Sequence, residues 1–140
     1  MTDLRASEKG WKPIPKSLKI LSCVFVFWAV MTLPNIKFAL NVGYPLVGVI
    51  FNGALGVVIA LLLNVLAPLI FVYALWNRYH WGLAFAMTYI AFFIVNNTIA
   101  LIWLQKQIGL PEILFPLLAN VVFLGVIYRT KKYFLGNVKN

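Results

Sequence analysis

The sequence has very few side chains that could carry chemistry. Among its 140 residues are three acids, one histidine and one cysteine. The single cysteine, Cys23, excludes a disulfide within the chain. One histidine and three scattered acids do not supply the four ligands of a usual zinc site, and no pattern brings a nucleophile, a base and an orienting acid together. The sequence therefore predicts a protein that is not an enzyme and that carries no metal and no cofactor.

Charge is also scarce, and hydrophobic residues take its place. Only 11% of the residues are charged and 63% are hydrophobic, whereas soluble domains are about 25% charged. A chain of this composition lacks the polar surface that a water-soluble domain needs. We therefore predict an integral, multi-pass membrane protein in which lipid is the solvent for most side chains.

Long apolar segments separated by short polar turns predict an all-α fold, a bundle of four transmembrane helices. The membrane domain, residues 18–129, has predicted spans at about 18–36, 46–76, 82–104 and 111–128. A basic interfacial arm, residues 1–17, precedes this domain, and a basic tail, residues 130–140, follows it. Pro111 marks the start of the last span, because a proline in the first turn of a helix removes no helical hydrogen bond.

The segment 46–76 is too long for one upright span. Its 31 residues would form a helix of about 46 Å, against a hydrocarbon core of about 30 Å. We expect a single tilted span that is kinked at Pro68. The alternative is a span that begins near Gly53, with the preceding stretch dipping into the membrane from its outer surface.

Basic residues are distributed unevenly between the two sides of this four-span arrangement. Ten lie on the side that holds both termini, and only Lys37 and Lys106 lie on the other. The positive-inside rule therefore predicts cytoplasmic termini, in a plasma (inner) membrane. The residues expected to anchor the chain at the two interfaces are Trp11, Trp76, Arg78, Trp81, Trp103, Arg129, Lys131 and Lys132.

The net charge of +9 bears on the partners of the protein. The cations flank the spans, where the orientation rule already requires them. We therefore expect the bilayer and its anionic lipid headgroups at the cytoplasmic face as partners, and no nucleic acid.

Polar side chains inside the predicted spans are mainly amides, namely Asn52, Asn64, Asn96, Asn97 and Asn120. Counted from the outer helix ends, Asn52, Asn96 and Asn120 are predicted to share a depth of about 9–12 Å. Two hypotheses are open. The amides hydrogen-bond between helices, or they line a site for a polar headgroup or a small solute that enters from the outer side.

Small residues four positions apart indicate close helix contact at Gly56 and Ala60 and at Gly82 and Ala86. Such pairs pack either within the bundle or against another chain.

The two halves of the sequence resemble each other. A shift of 66 residues aligns Gly43 with Gly109 and Pro45 with Pro111, among other conservative matches. One interpretation is a duplicated two-helix hairpin that forms a parallel repeat, and the other is chance similarity between hydrophobic segments.

These observations favour an accessory or structural subunit of a membrane complex, in contact with other membrane subunits or with copies of itself. Two alternatives belong to other classes. One is a small oligomeric transporter, channel or lipid-handling protein that uses the amides. The other is a membrane-embedded immunity or regulatory protein that docks to the spans of another protein.

Overall fold

The computed structural model describes residues 10–135, without the side chain of Leu135. It is mostly helical (78%). In chain order the elements are α1 (Lys16–Thr32), α2 (Ile36–Asn41), β1 (Tyr44–Leu46), β2 (Val49–Phe51), α3 (Gly53–Leu61), a π-helical turn (Leu62–Leu66), α4 (Ala67–Trp76), α5 (Trp81–Trp103), α6 (Gln105–Ile108), α7 (Leu110–Arg129) and α8 (Lys131–Leu135).

Among residues 10–135, three helices are long and apolar enough to cross a membrane. They are the continuous helix Gly53–Trp76, which joins α3, the π-helical turn and α4, together with α5 and α7. Their lengths are 24, 23 and 20 residues, and about 20 apolar residues suffice for a span. These three helices indicate a membrane protein.

The first predicted span ends earlier than we expected. Helix α1 stops at Thr32 rather than near Ile36, because Pro34 has no N–H to continue the hydrogen-bond pattern. Two backbone carbonyls at this end accept hydrogen bonds from side chains instead. Thr32 Oγ1 donates to Trp28 O (2.9 Å), and Asn35 Nδ2 donates to Met31 O (2.8 Å). The chain then restarts as the short helix α2.

The prediction of one tilted span over residues 46–76 is wrong, and the helix begins at Gly53. Residues 44–51 instead form an antiparallel hairpin with Tyr44 opposite Phe51 and Leu46 opposite Val49. Its two-residue turn has positive φ at both positions, +48° at Val47 and +78° at Gly48, which is the backbone of a type I′ turn. Within residues 10–135 the fold is therefore mostly helical, as predicted, with one small β-hairpin that we did not predict.

The π-helical turn follows from the position of Pro68. Proline has no N–H, so the Asn64 carbonyl cannot receive the usual bond from the residue four positions later. The helix widens just before this point, and the Ala67 N–H bonds to Leu62 O, five residues back. The helix continues through Pro68 by this local change in hydrogen bonding.

Both ends of the described chain meet at one end of the bundle, which we call the basic end. The Gly10 N–H donates to Trp76 O (3.1 Å), and the Tyr133 hydroxyl donates to Leu75 O (3.1 Å). Within the predicted basic tail, which starts at residue 130, Tyr133 and Phe134 are buried against the helices. Residues 1–9 of the predicted arm and 136–140 of the predicted tail lie outside the described residues.

An aromatic cluster at the centre joins the helices. The Phe25 ring on α1 lies 5.3 Å from Phe71, 6.2 Å from Tyr89 and 5.6 Å from Phe123, with edge-to-face geometry in each pair. Such pairs stabilise beyond the area that they bury. The cluster fixes α1, α4, α5 and α7 to one another, and it leaves the opposite end, which we call the hairpin end, to be organised by residues 33–52 and by α6.

The predicted duplication has a local counterpart in the backbone. In each half a short helix, α2 or α6, is followed by a glycine with a left-handed backbone, Gly43 at φ +101° and Gly109 at φ +99°. The hairpin then follows in the first half, whereas α7 follows at once in the second. Duplication stays a prediction, and the hairpin would be an insertion in one copy.

Val47 is strained, and we expect Val47→Asn to stabilise the fold by about 1 kcal/mol. A β-branched residue at positive φ costs about 1–3 kcal/mol, whereas Asn-Gly is the preferred pair in a type I′ turn. The measurement is the thermal unfolding midpoint in detergent. Val49→Asn, at an equally exposed position next to the turn, is the control. A midpoint for Val47→Asn no higher than that of the control would contradict the prediction.

Candidate functional site at the hairpin end

The hairpin tip lies against α5, and Asn96 holds it there. The Val47 N–H donates to Asn96 Oδ1 at 2.7 Å, and the Asn96 side chain is 5% exposed. Gly48 comes so close to Ile99 and Trp103 that an added Cβ would lie 3.1–3.3 Å from them. Asn96 is seven residues from the end of α5, about 10 Å along the helix. The hairpin therefore reaches well below the end of this candidate span.

A second polar contact joins the hairpin to the π-helical turn. The Tyr44 hydroxyl donates to Asn64 Oδ1 (3.2 Å), and the Tyr89 hydroxyl of α5 donates to Leu63 O (2.7 Å). Burial raises the pKa of the Tyr44 phenol to about 12, and the hydrogen bond with Asn64 offsets this in part. The phenol therefore stays protonated, and remains a donor, at neutral pH.

A cavity of about 300 Å³ lies beside this contact. Its walls come from the last turns of α1, from α2, from β1 and from the face of the Gly53–Trp76 helix that carries Ala60 and Asn64. Trp28, Met31 and Phe38 make most of the remaining wall apolar. This volume is at the lower limit for small-molecule sites.

The other three predicted amides lie elsewhere. Asn52 is exposed and immediately precedes α3, where its side chain makes no capping bond. Asn120 Nδ2 donates to Pro116 O of its own helix (2.7 Å). Asn97 Nδ2 is buried and has no hydrogen-bond partner among the described residues. Within residues 10–135 no hydrogen bond joins Asn52, Asn96 and Asn120 to one another.

The small residues are all buried, and each pair contacts elements of the same chain. A Cβ on Gly56 would overlap the Phe51 carbonyl oxygen and would lie 3.0 Å from Ala39 O. A Cβ on Gly82 would lie 3.0 Å from Ala74 Cβ and 3.3 Å from the Phe134 ring. The absence of a side chain at Gly56 thus allows the end of the hairpin and α2 to pack closely against this helix. The absence of a side chain at Gly82 likewise allows close packing of α4 and α8. Ala60 and Ala86 are also almost completely buried.

The predicted interface anchors divide between the two ends. Trp103 is 71% exposed at the hairpin end. At the basic end Trp11 packs on Trp76, and Arg78 lies over the Tyr133 ring at 5.0 Å. The same end holds Trp81, Arg129, Lys131 and Lys132.

Sequence reasoning missed Val47 and Tyr44, the two hairpin residues that bond to the amides. Gly48 within a run of β-branched residues is a hairpin signal that could have revealed both. We instead assigned residues 46–51 to a membrane span because the segment is apolar.

No group of three metal-ligating side chains forms within the part of the chain that the structure describes. Comparisons with protein-family models, with curated proteins and with solved structures gave no match to this chain.

Proposed function

We propose that the protein is an accessory or structural subunit of a membrane complex, a four-span chain with cytoplasmic termini. The proposal rests on the hydrogen bonds that the asparagine side chains make. Asn96 and Asn64 bond to the hairpin, and Asn120 bonds to its own helix. These three side chains make hydrogen bonds within the chain, which supports a role in stabilising the fold rather than in coordinating a transported solute, and the outward apolar faces remain for contact with neighbours.

The surface of α7 supports a docking role. Only Ile113 and Ile127 of its 20 residues are buried. Phe115, Leu118 and Val122 are 73%, 63% and 62% exposed on its outer side, and nothing lies within 4 Å of a Cβ added to Gly125. Small residues let helix backbones approach closely in membranes. This face would accept a helix of another subunit.

The four-span arrangement rests on α1 as the additional span. Its 17 residues extend about 26 Å, slightly less than a bilayer core. Its N-terminal end lies near the C-terminal end of α4, so the two helices are antiparallel. The cations of the basic end would then face the cytoplasm.

The test is gentle extraction from the native membrane, followed by mass measurement and identification of co-purifying chains. We expect constant stoichiometry with a different membrane protein. Gly125→Leu should reduce the recovered partner at least about fivefold, because a clash of about 1 kcal/mol already gives that factor. The added side chain has free space within this chain, so the fold should persist.

Ala91→Leu is the matched control, since Ala91 is exposed on α5. It should leave partner recovery unchanged. Recovery of the protein only as a homo-oligomer with lipid would contradict the proposal and would favour transport or lipid handling instead.

A further inference from the structure

A groove of about 420 Å³ runs along α1 on the outside of the bundle. It is lined by Trp11, Ser22, Cys23, Val26, Phe27, Val30 and Val72. The Ser22 hydroxyl already donates to Leu18 O (2.8 Å), and the remaining wall is almost entirely apolar. A polar occupant would lose its hydrogen bonds to water in this groove, whereas a hydrocarbon chain would not.

Trp11 forms the wall of the groove nearest the basic end. Contacts within the chain hold it there, since the Gly10 N–H donates to Trp76 O (3.1 Å) and the Trp11 ring lies 6.4 Å from the Trp76 ring. Tryptophan side chains are enriched where the hydrocarbon of a bilayer meets the headgroups. The groove therefore starts at the level expected for this boundary and continues inward along α1.

Cations stand at this mouth of the groove. Lys19 lies three or four residues before the first groove residues of α1, on the same side of the helix. Its Nζ is 5.8 Å from the centre of the Trp11 ring and donates to Lys12 O (3.3 Å), which takes one of the three ammonium donors. Lys16 precedes it by one turn, and the only acid among residues 10–135, Glu112, is at the opposite end of the bundle. An anionic group is therefore favoured at the mouth.

The length of the groove corresponds to one leaflet. Val30, the groove residue farthest from the basic end, lies 11 residues beyond Lys19 in α1, which is about 16 Å along the helix. Half of a hydrocarbon core of about 30 Å is about 15 Å. An occupant with its charge at Lys19 would thus reach the middle of the bilayer at Val30.

We propose that this groove binds one anionic phospholipid from the leaflet at the basic end. The phosphate lies at Lys19, and one acyl chain packs against Val26, Val30 and Val72. Charge complementarity at the mouth and an apolar wall as long as one leaflet together favour this occupant. The proposal rests on the four-span arrangement of the proposed function, in which α1 lies in the bilayer, but it does not depend on the subunit role.

The experiment reconstitutes the full chain into vesicles of equal phosphatidylglycerol and phosphatidylcholine and then counts retained phospholipids by native mass spectrometry. The unchanged protein should retain phosphatidylglycerol in preference to phosphatidylcholine. Lys19→Gln should lower the retained phosphatidylglycerol about fivefold, the factor expected for one basic residue near a membrane surface. Val26→Trp should lower it at least as much, because the larger side chain fills the groove.

Each variant has a matched control. Lys132→Gln removes another exposed cation of the basic end. Val24→Trp adds the same bulk to α1 at a valine that is as exposed as Val26, 38% in both cases, but that does not line the groove. Both controls should retain the lipid. Equal retention in Lys19→Gln and Lys132→Gln would overturn the proposal, and so would the absence of retained lipid in the unchanged protein, which would favour a protein neighbour in the groove.

Cys23 distinguishes failure of the lipid site from failure of the four-span arrangement. It is the only cysteine of the chain, and it lines the groove. A membrane-impermeant maleimide should not label it in intact vesicles. Labelling would place α1 outside the bilayer and would overturn both proposals. Protection of Cys23 combined with equal lipid retention in Val26→Trp and Val24→Trp would overturn the lipid site alone.

Discussion

Gly56→Ala is expected to destabilise the protein by about 1–3 kcal/mol, the usual cost of overpacking. The new methyl group would overlap the Phe51 carbonyl oxygen and press on Ala39 O. Both obstacles are backbone atoms, so relief requires movement of the hairpin or of α2. The thermal unfolding midpoint in detergent measures the effect, and fluorescence of Trp103, which contacts the hairpin tip, reports whether the hairpin moves.

Gly125→Ala is the matched control on α7. Nothing lies within 4 Å of its added Cβ, so the higher helix propensity of alanine should stabilise the chain by up to about 1 kcal/mol. The same substitution should thus have opposite signs at the two glycines. Equal stability changes would mean that the close approach at Gly56 does not exist.

Asn96→Leu should also destabilise the protein by about 1–3 kcal/mol. Leucine has a similar size but leaves the Val47 N–H without its acceptor, and an unsatisfied buried donor carries this penalty. Water cannot replace the acceptor readily, because the Asn96 side chain is buried against the hairpin tip. We expect Asn96→Leu to lower the thermal unfolding midpoint and to speed amide hydrogen exchange at residues 46–49.

Asn97→Leu, at the neighbouring position, should have no effect or should stabilise the chain. Asn97 Nδ2 is buried without a partner among residues 10–135, so replacement by leucine removes an uncompensated polar group. Two adjacent asparagines would therefore respond in opposite directions. A loss for Asn97→Leu as large as that for Asn96→Leu would show that Asn97 has a partner in the native membrane.

Some features were predictable because they are local. The polar residues after Trp76 and after Trp103 fixed the ends of two candidate spans to within one residue, since a charged or amide-rich turn cannot remain in hydrocarbon. Pro111 marked the start of α7 because a proline in the first turn of a helix removes no helical hydrogen bond. Pro68 indicated a kink, although the sequence did not reveal that the helix would widen into a π-helical turn just before it.

The site was less predictable because its contacts are distant in sequence. Asn96 was a candidate from its place in an apolar helix, but its partner is 49 residues away and is a backbone N–H, which no side-chain pattern reveals. The Tyr44 partner of Asn64 was likewise hidden in a segment that we assigned next to a long span. Depth counting also treated Asn52 as part of a helix, whereas the turn at Val47 and Gly48 places it outside one.

The sequence by itself determined that most side chains of this protein face an apolar environment, where α5 and α7 begin and end, and which end of the bundle is basic. Composition and helix length decide these properties one segment at a time. Only the tertiary structure decided that an apolar stretch folds back as a hairpin, that Gly56 and Asn96 contact it, and that a cavity opens beside it. The physical reason is that hydrogen-bond satisfaction and close packing depend on which distant backbone atoms arrive beside each side chain.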